Sequence, residues 1–238
     1  MELVEIAADK GMRTINISDH GSAARGRKMV FNVLTDRRRV PEVLTSRSGT
    51  AITVLAGIEA NILDAESVSD LPETHRDEFD LISAGFHGQA ERSKERSNQD
   101  RIAHNMWALE RYLSCSPIDI LTHPCTEAFP LDVERVVDLS LQYGFALEVN
   151  NTNLRLGKTN GELLEAMLQV GQARGCRFVE NSDGHFMTEI GENEKIMEVL
   201  ARLQLDGDAI FLNRHEARLR AFIDERRHLP SRAAPGPM

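Results

Sequence analysis

Cysteine is scarce and poorly spaced for pairing, with only Cys115, Cys125 and Cys176 in 238 residues. An odd count without a close pair argues against a disulfide framework and against a Cys-x-x-Cys motif. A reducing cytoplasm is the expected home. Aromatic residues make up 5% of the chain, so a core drawn from its 41% apolar content must be mainly aliphatic. Basic charge is in deficit: 28 Lys and Arg against 37 Asp and Glu leave a formal charge of −9. That balance disfavours nucleic acid as a partner, because such binding rests on neutralising phosphates with a basic surface. No apolar run approaches the roughly 20 residues that span a bilayer. The opening Met1-Glu2-Leu3-Val4-Glu5-Ile6 lacks the basic-then-apolar order of a signal peptide, and no membrane partner is expected. Gly-x-Ser-x-Gly and Gly-rich phosphate loops are also missing, which leaves serine nucleophiles and nucleotide binding unsupported.

What is present is an alternation. Six segments read as buried strands that end on polar or ionisable residues: Arg13–His20, Ile52–Glu59, Asp80–His87, Ile118–His123, Phe145–Asn150 and Arg177–His185. Between and around them lie amphipathic stretches of helical period, at Met1–Met12, Lys28–Leu44, Arg101–Leu113, Leu131–Tyr143, Gly161–Arg174, Glu194–Leu203 and His215–Arg227. A further short strand is expected over Ala209–Leu212, and loops over Ser67–Glu78 and Gln89–Asp100. Strands alternating with helices predict an α/β protein with a parallel sheet. In a barrel of that type the C-terminal strand ends converge on one mouth, where the chemistry sits.

Those ends supply His20, Glu59, His87, His123, Asn150, Asp183 and His185. Four imidazoles, two carboxylates and an amide form the donor set of a borderline-to-hard metal centre. Asp183 and His185 are spaced i and i+2, which in a strand puts both on one face. Plainer roles are expected elsewhere. Asp19 reads as an acceptor that orients a ligand histidine, Cys125 as a small buried thiol, and Arg155 and Lys158 as solvated loop charge. His75, His104, His215 and His228 receive no role.

The ordered series Ser18-Asp19-His20-Gly21, Gly57-Ile58-Glu59-Ala60-Asn61, Ala84-Gly85-Phe86-His87, Thr122-His123-Pro124, Leu147-Glu148-Val149-Asn150-Asn151 and Asn181-Ser182-Asp183-Gly184-His185 resembles the PHP (polymerase and histidinol phosphatase) family. The likeness is to its small stand-alone bacterial phosphatases and covers roughly residues 1–225. It implies a distorted (β/α)7 TIM-like barrel, here a single domain over residues 1–227 followed by a disordered tail, 228–238. It also implies two to three divalent ions, zinc first, with manganese or iron as alternatives. Carried over by position, His20 and His185 serve one metal, Glu59 bridges two, His87 and His123 complete the second, and Asp183 belongs to the remaining one. Members of the family open on a strand carrying His-x-His. No histidine precedes His20 here, so that first strand is expected to be missing, with some of the metal ligands.

The activity implied is hydrolysis of a small phosphomonoester by a metal-activated water, with Glu59 and Asp183 as catalytic carboxylates. Asp183 or a water on the metal would protonate the leaving alkoxide. The alternative is a truncated or degenerate barrel with an incomplete metal site and little or no activity, whose exposed strand edges invite homo-oligomerisation. A C–N hydrolase on a similar barrel is disfavoured, since no lysine ends a strand.

Overall fold

A computed structural model describes residues 1–23, 39–63, 69–88 and 97–227. The expected disordered tail, most of the Lys28–Leu44 helix and part of the Gln89–Asp100 loop lie outside them.

The chain opens with helix α1 (Glu2–Asp9) and then enters strand β1 (Thr14–His20). Val43 and Leu44, read from sequence as the end of the Lys28–Leu44 helix, instead belong to a short strand, β2 (Val43–Thr45), antiparallel to β3 (Ala51–Asn61). Its Val43 and Leu44 are β-branched or apolar and pair with Ile52 and Thr53 after the Ser46–Thr50 turn. The remaining strands are β4 (Leu81–Gly85), β5 (Ile120–Leu121), β6 (Ala146–Asn150) and β7 (Phe178–Asn181). Six strands run parallel in the order β1-β3-β4-β5-β6-β7. The result is a curved, open half-barrel sheet whose ladder edges, among the described residues, are β1 and β7.

Helices flank the sheet on both faces. They are α2 (Asn98–Cys115), α3 (Val133–Tyr143), α4 (Asn151–Arg155), α5 (Gly161–Arg174), α6 (Glu194–Leu203), α7 (Gly207–Ile210) and α8 (Glu216–Arg227). Their limits follow local chemistry. The side chains of Ser97, Asp132 and Asn160 accept the backbone N–H groups of Asp100, Arg135 and Leu163, capping α2, α3 and α5. Gly144, at φ 74°, ends α3 in the left-handed turn glycine favours. The strand expected over Ala209–Leu212 is helical at Gly207–Ile210 and keeps only a single parallel bridge, Phe178 to Phe211. Asp206 caps that turn by accepting from the Asp208 N–H, a local bond that outweighs the weak strand propensity of four apolar residues. Glu73–Glu78, expected as loop, forms a 3-10 turn.

Two apolar layers sandwich the sheet. Outside it, Ile58, Ile82, Leu121 and Leu147 pack beneath Leu109, Val137 and Met167 of the helices. Inside, Leu55, Leu81, Ala146 and Val179 meet Phe222 and Ile223 of α8, which plugs the floor of the half-barrel. Burial on both faces explains why the strands read as nearly continuous apolar runs. The ladder is staggered: the paired row from His20 and Glu59 passes through Ser83 and Ile120 to Ala146. A row that begins at a polar rim and ends in an apolar floor is what tilted strands in a curving wall produce. No helix among the described residues is long and apolar enough to cross a membrane.

Candidate metal centre

Glu59 is the hub. It stands on β3, two residues before the strand ends, directly opposite His20 on β1. Its Oε1 lies 3.2 Å from His87 Nε2 and 3.3 Å from His123 Nε2, and those two ring nitrogens are 3.4 Å apart. Its other oxygen, Oε2, lies 3.4 Å from His20 Nδ1. Thr122 Oγ1 donates to Glu59 Oε1 at 2.8 Å. The rings of His20 and His87 meet edge-on, as do those of His87 and His123.

These distances fit a divalent ion. Donors placed 2.0–2.2 Å from a common centre in a tetrahedron sit about 3.3–3.6 Å apart. The Glu59, His87 and His123 atoms form a nearly equilateral triangle of that size. The donor atoms of His20, Glu59 and His87 also all lie within 4.8 Å of one another. His87 Nδ1 is buried without a hydrogen-bond partner among the described residues, so the position of its ring is not explained by hydrogen bonding through that atom.

Electrostatics agree with a carboxylate among imidazoles. Burial pushes the Glu59 carboxyl upward, but hydrogen bonds and positive charge from His123 and His87 overcome it and hold the group well below the usual carboxylate range. Burial works against charging His123, yet its bond to Glu59 and the charges of Glu59, Glu148 and Asp183 raise it above the ordinary histidine value. A divalent ion would take the place of that shared proton.

Asp183 and His185 do not lie together on a strand face. β7 stops at Asn181, and Asp183 turns into left-handed backbone at φ 46°. Asp183 Oδ2 still faces the mouth, accepting from Asn150 Nδ2 at 3.1 Å. His185 is more exposed; its Nδ1 lies 3.1 Å from the Asp183 carbonyl oxygen and 3.8 Å from Asp183 Oδ1. Asp19 binds the backbone N–H of His20 at 2.8 Å, so it steadies the strand end rather than the ring through this bond. Arg155 pairs with Glu189, which also accepts the N–H of His185. Cys125 is buried, its Sγ 3.7 Å from Met167 Sδ, and burial pushes its thiol up to about 12. A cavity of about 620 Å³ is lined by His20, Glu59, Asp183 and His185 together with Glu148 and Asn181.

No family model matches the chain. It is 27% identical over 228 residues to a probable phosphatase of Shewanella oneidensis, covering 95% of this chain and 85% of that one. A probable phosphatase of Acetivibrio thermocellus is 28% identical over 204 residues, covering 86% and 80%. The fold is similar to the crystal structure of histidinol phosphate phosphatase from Lactococcus lactis subsp. lactis Il1403, complexed with zinc, L-histidinol and phosphate. That match has a TM-score of 0.54 at 12% identity and covers 86% of this chain and 87% of that one. A chain in the cryo-EM structure of archaeal ribonuclease P with mature tRNA has a TM-score of 0.50 at 15% identity, covering 94% and 87%. The likeness to phosphatases spans nearly the whole chain.

Sequence reasoning missed one group at this site, Glu148. It lies on β6, 2% exposed, in the wall of the cavity. Burial, above all, raises its carboxyl to about 7. The signal was available: in Ala146-Leu147-Glu148-Val149-Asn150, Glu148 and Asn150 share the inward parity of a strand, and a lone acid in an apolar run needs a partner.

Proposed function

We propose that this protein is a metal-dependent phosphatase of the PHP type that hydrolyses a small phosphomonoester. The observation that carries the reading is the two-sided Glu59 carboxylate, with His87 and His123 on one oxygen and His20 on the other. With donors on both of its oxygens, that carboxylate would be able to hold divalent metal together with the imidazoles. Named relatives that cover most of the chain are probable phosphatases, and the similar fold from Lactococcus lactis was solved with zinc and phosphate. The zinc in that structure supports zinc as the metal here, manganese or iron being alternatives, and the half-barrel sheet would belong to a TIM-like barrel.

His20, Glu59, His87 and His123 would hold the ions, with Asp183 and His185 completing the set from the loop after β7. Bound there, divalent ions would supply Lewis acidity, easing ionisation of water and offsetting negative charge on phosphoryl oxygens. The chain's own part is to hold the donors in place. Glu59 fixes the imidazoles on its two sides, Thr122 fixes the Glu59 oxygen it donates to, and Asn150 aims the Asp183 carboxylate at the mouth. When not bound to an ion, Asp183 would be the carboxyl group at the rim to pass a proton to the leaving alkoxide.

The test is turnover of p-nitrophenyl phosphate with elemental analysis. Purified protein should contain bound divalent metal and lose turnover to a chelator, and added zinc or manganese should restore it. Glu59→Gln should lower turnover by more than about 100-fold with loss of bound metal, since losing a ligand should cost at least what losing a supporting partner does. Unchanged turnover in that variant would overturn the reading.

A further inference from the structure

His123 and Asp183 both adopt left-handed backbone, at φ 36° and 46°. Among the described non-glycine residues only Gln204, a helix terminus, shares this feature. Such backbone is uncommon for non-glycine residues, though His and Asp adopt it more readily than most, and it persists where the surroundings over-determine it. Here one side chain links both turns.

Glu148 Oε2 accepts the backbone N–H of His123 at 2.7 Å and a weaker bond from Asn150 Nδ2 at 3.3 Å. Glu148 Oε1 accepts from Asn181 Nδ2 at 2.6 Å. The amide oxygen of Asn181 in turn accepts the backbone N–H of Asp183 at 3.1 Å, and Asn150 Nδ2 reaches the Asp183 carboxylate. Each of these three partners is a donor, so both oxygens are used as acceptors. An ordinary core role does not account for this. The neighbouring inward positions Ala146 and Val179 are apolar, and burying a carboxylate there is costly unless it is fully bonded.

We propose that Glu148 is a positioning residue, a two-sided acceptor that sets the left-handed turns carrying His123 and Asp183 and so presents both side chains to one metal cluster. The inference rests on the metal-dependent reading above. Glu148 touches neither substrate nor metal; it acts through the backbone of His123 and through Asn181.

Glu148→Gln tests this with little change of shape. Its amide replaces one acceptor with an NH2 group that must face either the His123 N–H or the Asn181 NH2. Cobalt(II), titrated into metal-free protein and followed by its visible absorption, reads affinity and coordination without turnover. The variant should keep the far-UV circular dichroism of the wild type, bind cobalt about 10–100-fold more weakly, and show an altered absorption band. In a His123→Ala background the same substitution should add less than half of that loss on a logarithmic scale, because much of its effect runs through His123. A loss smaller than fivefold, or a full additional loss in the His123→Ala background, overturns the proposal. Should Glu148→Gln not fold, Asn181→Ser removes the link to Asp183 while keeping Glu148, and cobalt affinity within fivefold of wild type overturns the proposal in the same way. Wild-type protein that binds no cobalt removes the phosphatase reading and this inference together. Wild type that binds while Glu148→Gln binds equally well sinks only the inference.

Discussion

At the scale of single residues, the site is a set of coupled protonations, and their signs can be worked out for the metal-free protein. Glu148 is raised to about 7 from an ordinary 4.5. A carboxyl raised on folding contributes stability below the unfolded value that is lost as pH climbs towards the folded one. His123 is also raised, from 6.5, so its contribution is complete below 6.5 and disappears as pH passes its folded value. Glu59 is lowered and acts oppositely, its contribution present above 4.5 and lost only as pH falls through its folded value. The metal-free protein should therefore melt at a higher temperature at pH 5.5 than at pH 8. Thermal melts in excess chelator at the two values check this, and equal or reversed midpoints would show that another group governs. Metal uptake should run the other way, strengthening with pH, because a ligand histidine must first give up its proton.

At the scale of elements, the floor of the half-barrel depends on how α8 is fastened beneath the strands. Arg226 is buried there, its Nε bonding Asp119 Oδ1 at 3.1 Å and its Nη1 the Tyr143 carbonyl at 2.8 Å. Asp119 also accepts the Ile82 N–H through its other oxygen at 2.8 Å, so the pair joins α8 to the starts of β4 and β5. On the exposed side of the same helix end, Arg177 forks across both oxygens of Glu225, a pair that contributes little because water screens it. Removing one partner of a buried pair leaves the other charge uncompensated, at about 3–5 kcal/mol. Arg226→Ala should lower unfolding free energy in urea by that amount, while Arg177→Ala should change it by no more than about 1 kcal/mol. Equal effects from the two would show that burial does not decide their weight.

At the scale of the whole molecule, the His20, Glu59, His87 and His123 donors join β1, β3 and the loops after β4 and β5, so an ion there would tie together segments from His20 to His123. Binding to the folded state alone stabilises it by about 4 kcal/mol at a ligand concentration 1,000 times the dissociation constant. For a chain of this size, each kcal/mol moves the melting temperature by roughly 2–4 °C. Zinc at that excess should therefore raise the midpoint by about 8–16 °C over chelated protein, measured by scanning calorimetry. No shift would mean that the donors meet without holding a metal.

The alternation of strands and helices was legible in the chain because burial and capping are local patterns. A β-branched run such as Ala51–Ile58 declares a strand covered on both faces, and Gly144 after an amphipathic stretch declares a helix end. So were the polar strand endings, since each imidazole or acid follows its own apolar run. The element at Ala209–Leu212 was not legible: four apolar residues carry too little periodicity to outweigh one cap at Asp206. That His20, Glu59, His87 and His123 would share one mouth was expected from the alternation, but their spacing around the Glu59 carboxylate, the turning of Asp183 out of its strand, and the bonding of Glu148 came only with tertiary structure. Which strand ends meet depends on the stagger and curvature of the sheet, and those are set by pairing between segments far apart in the chain.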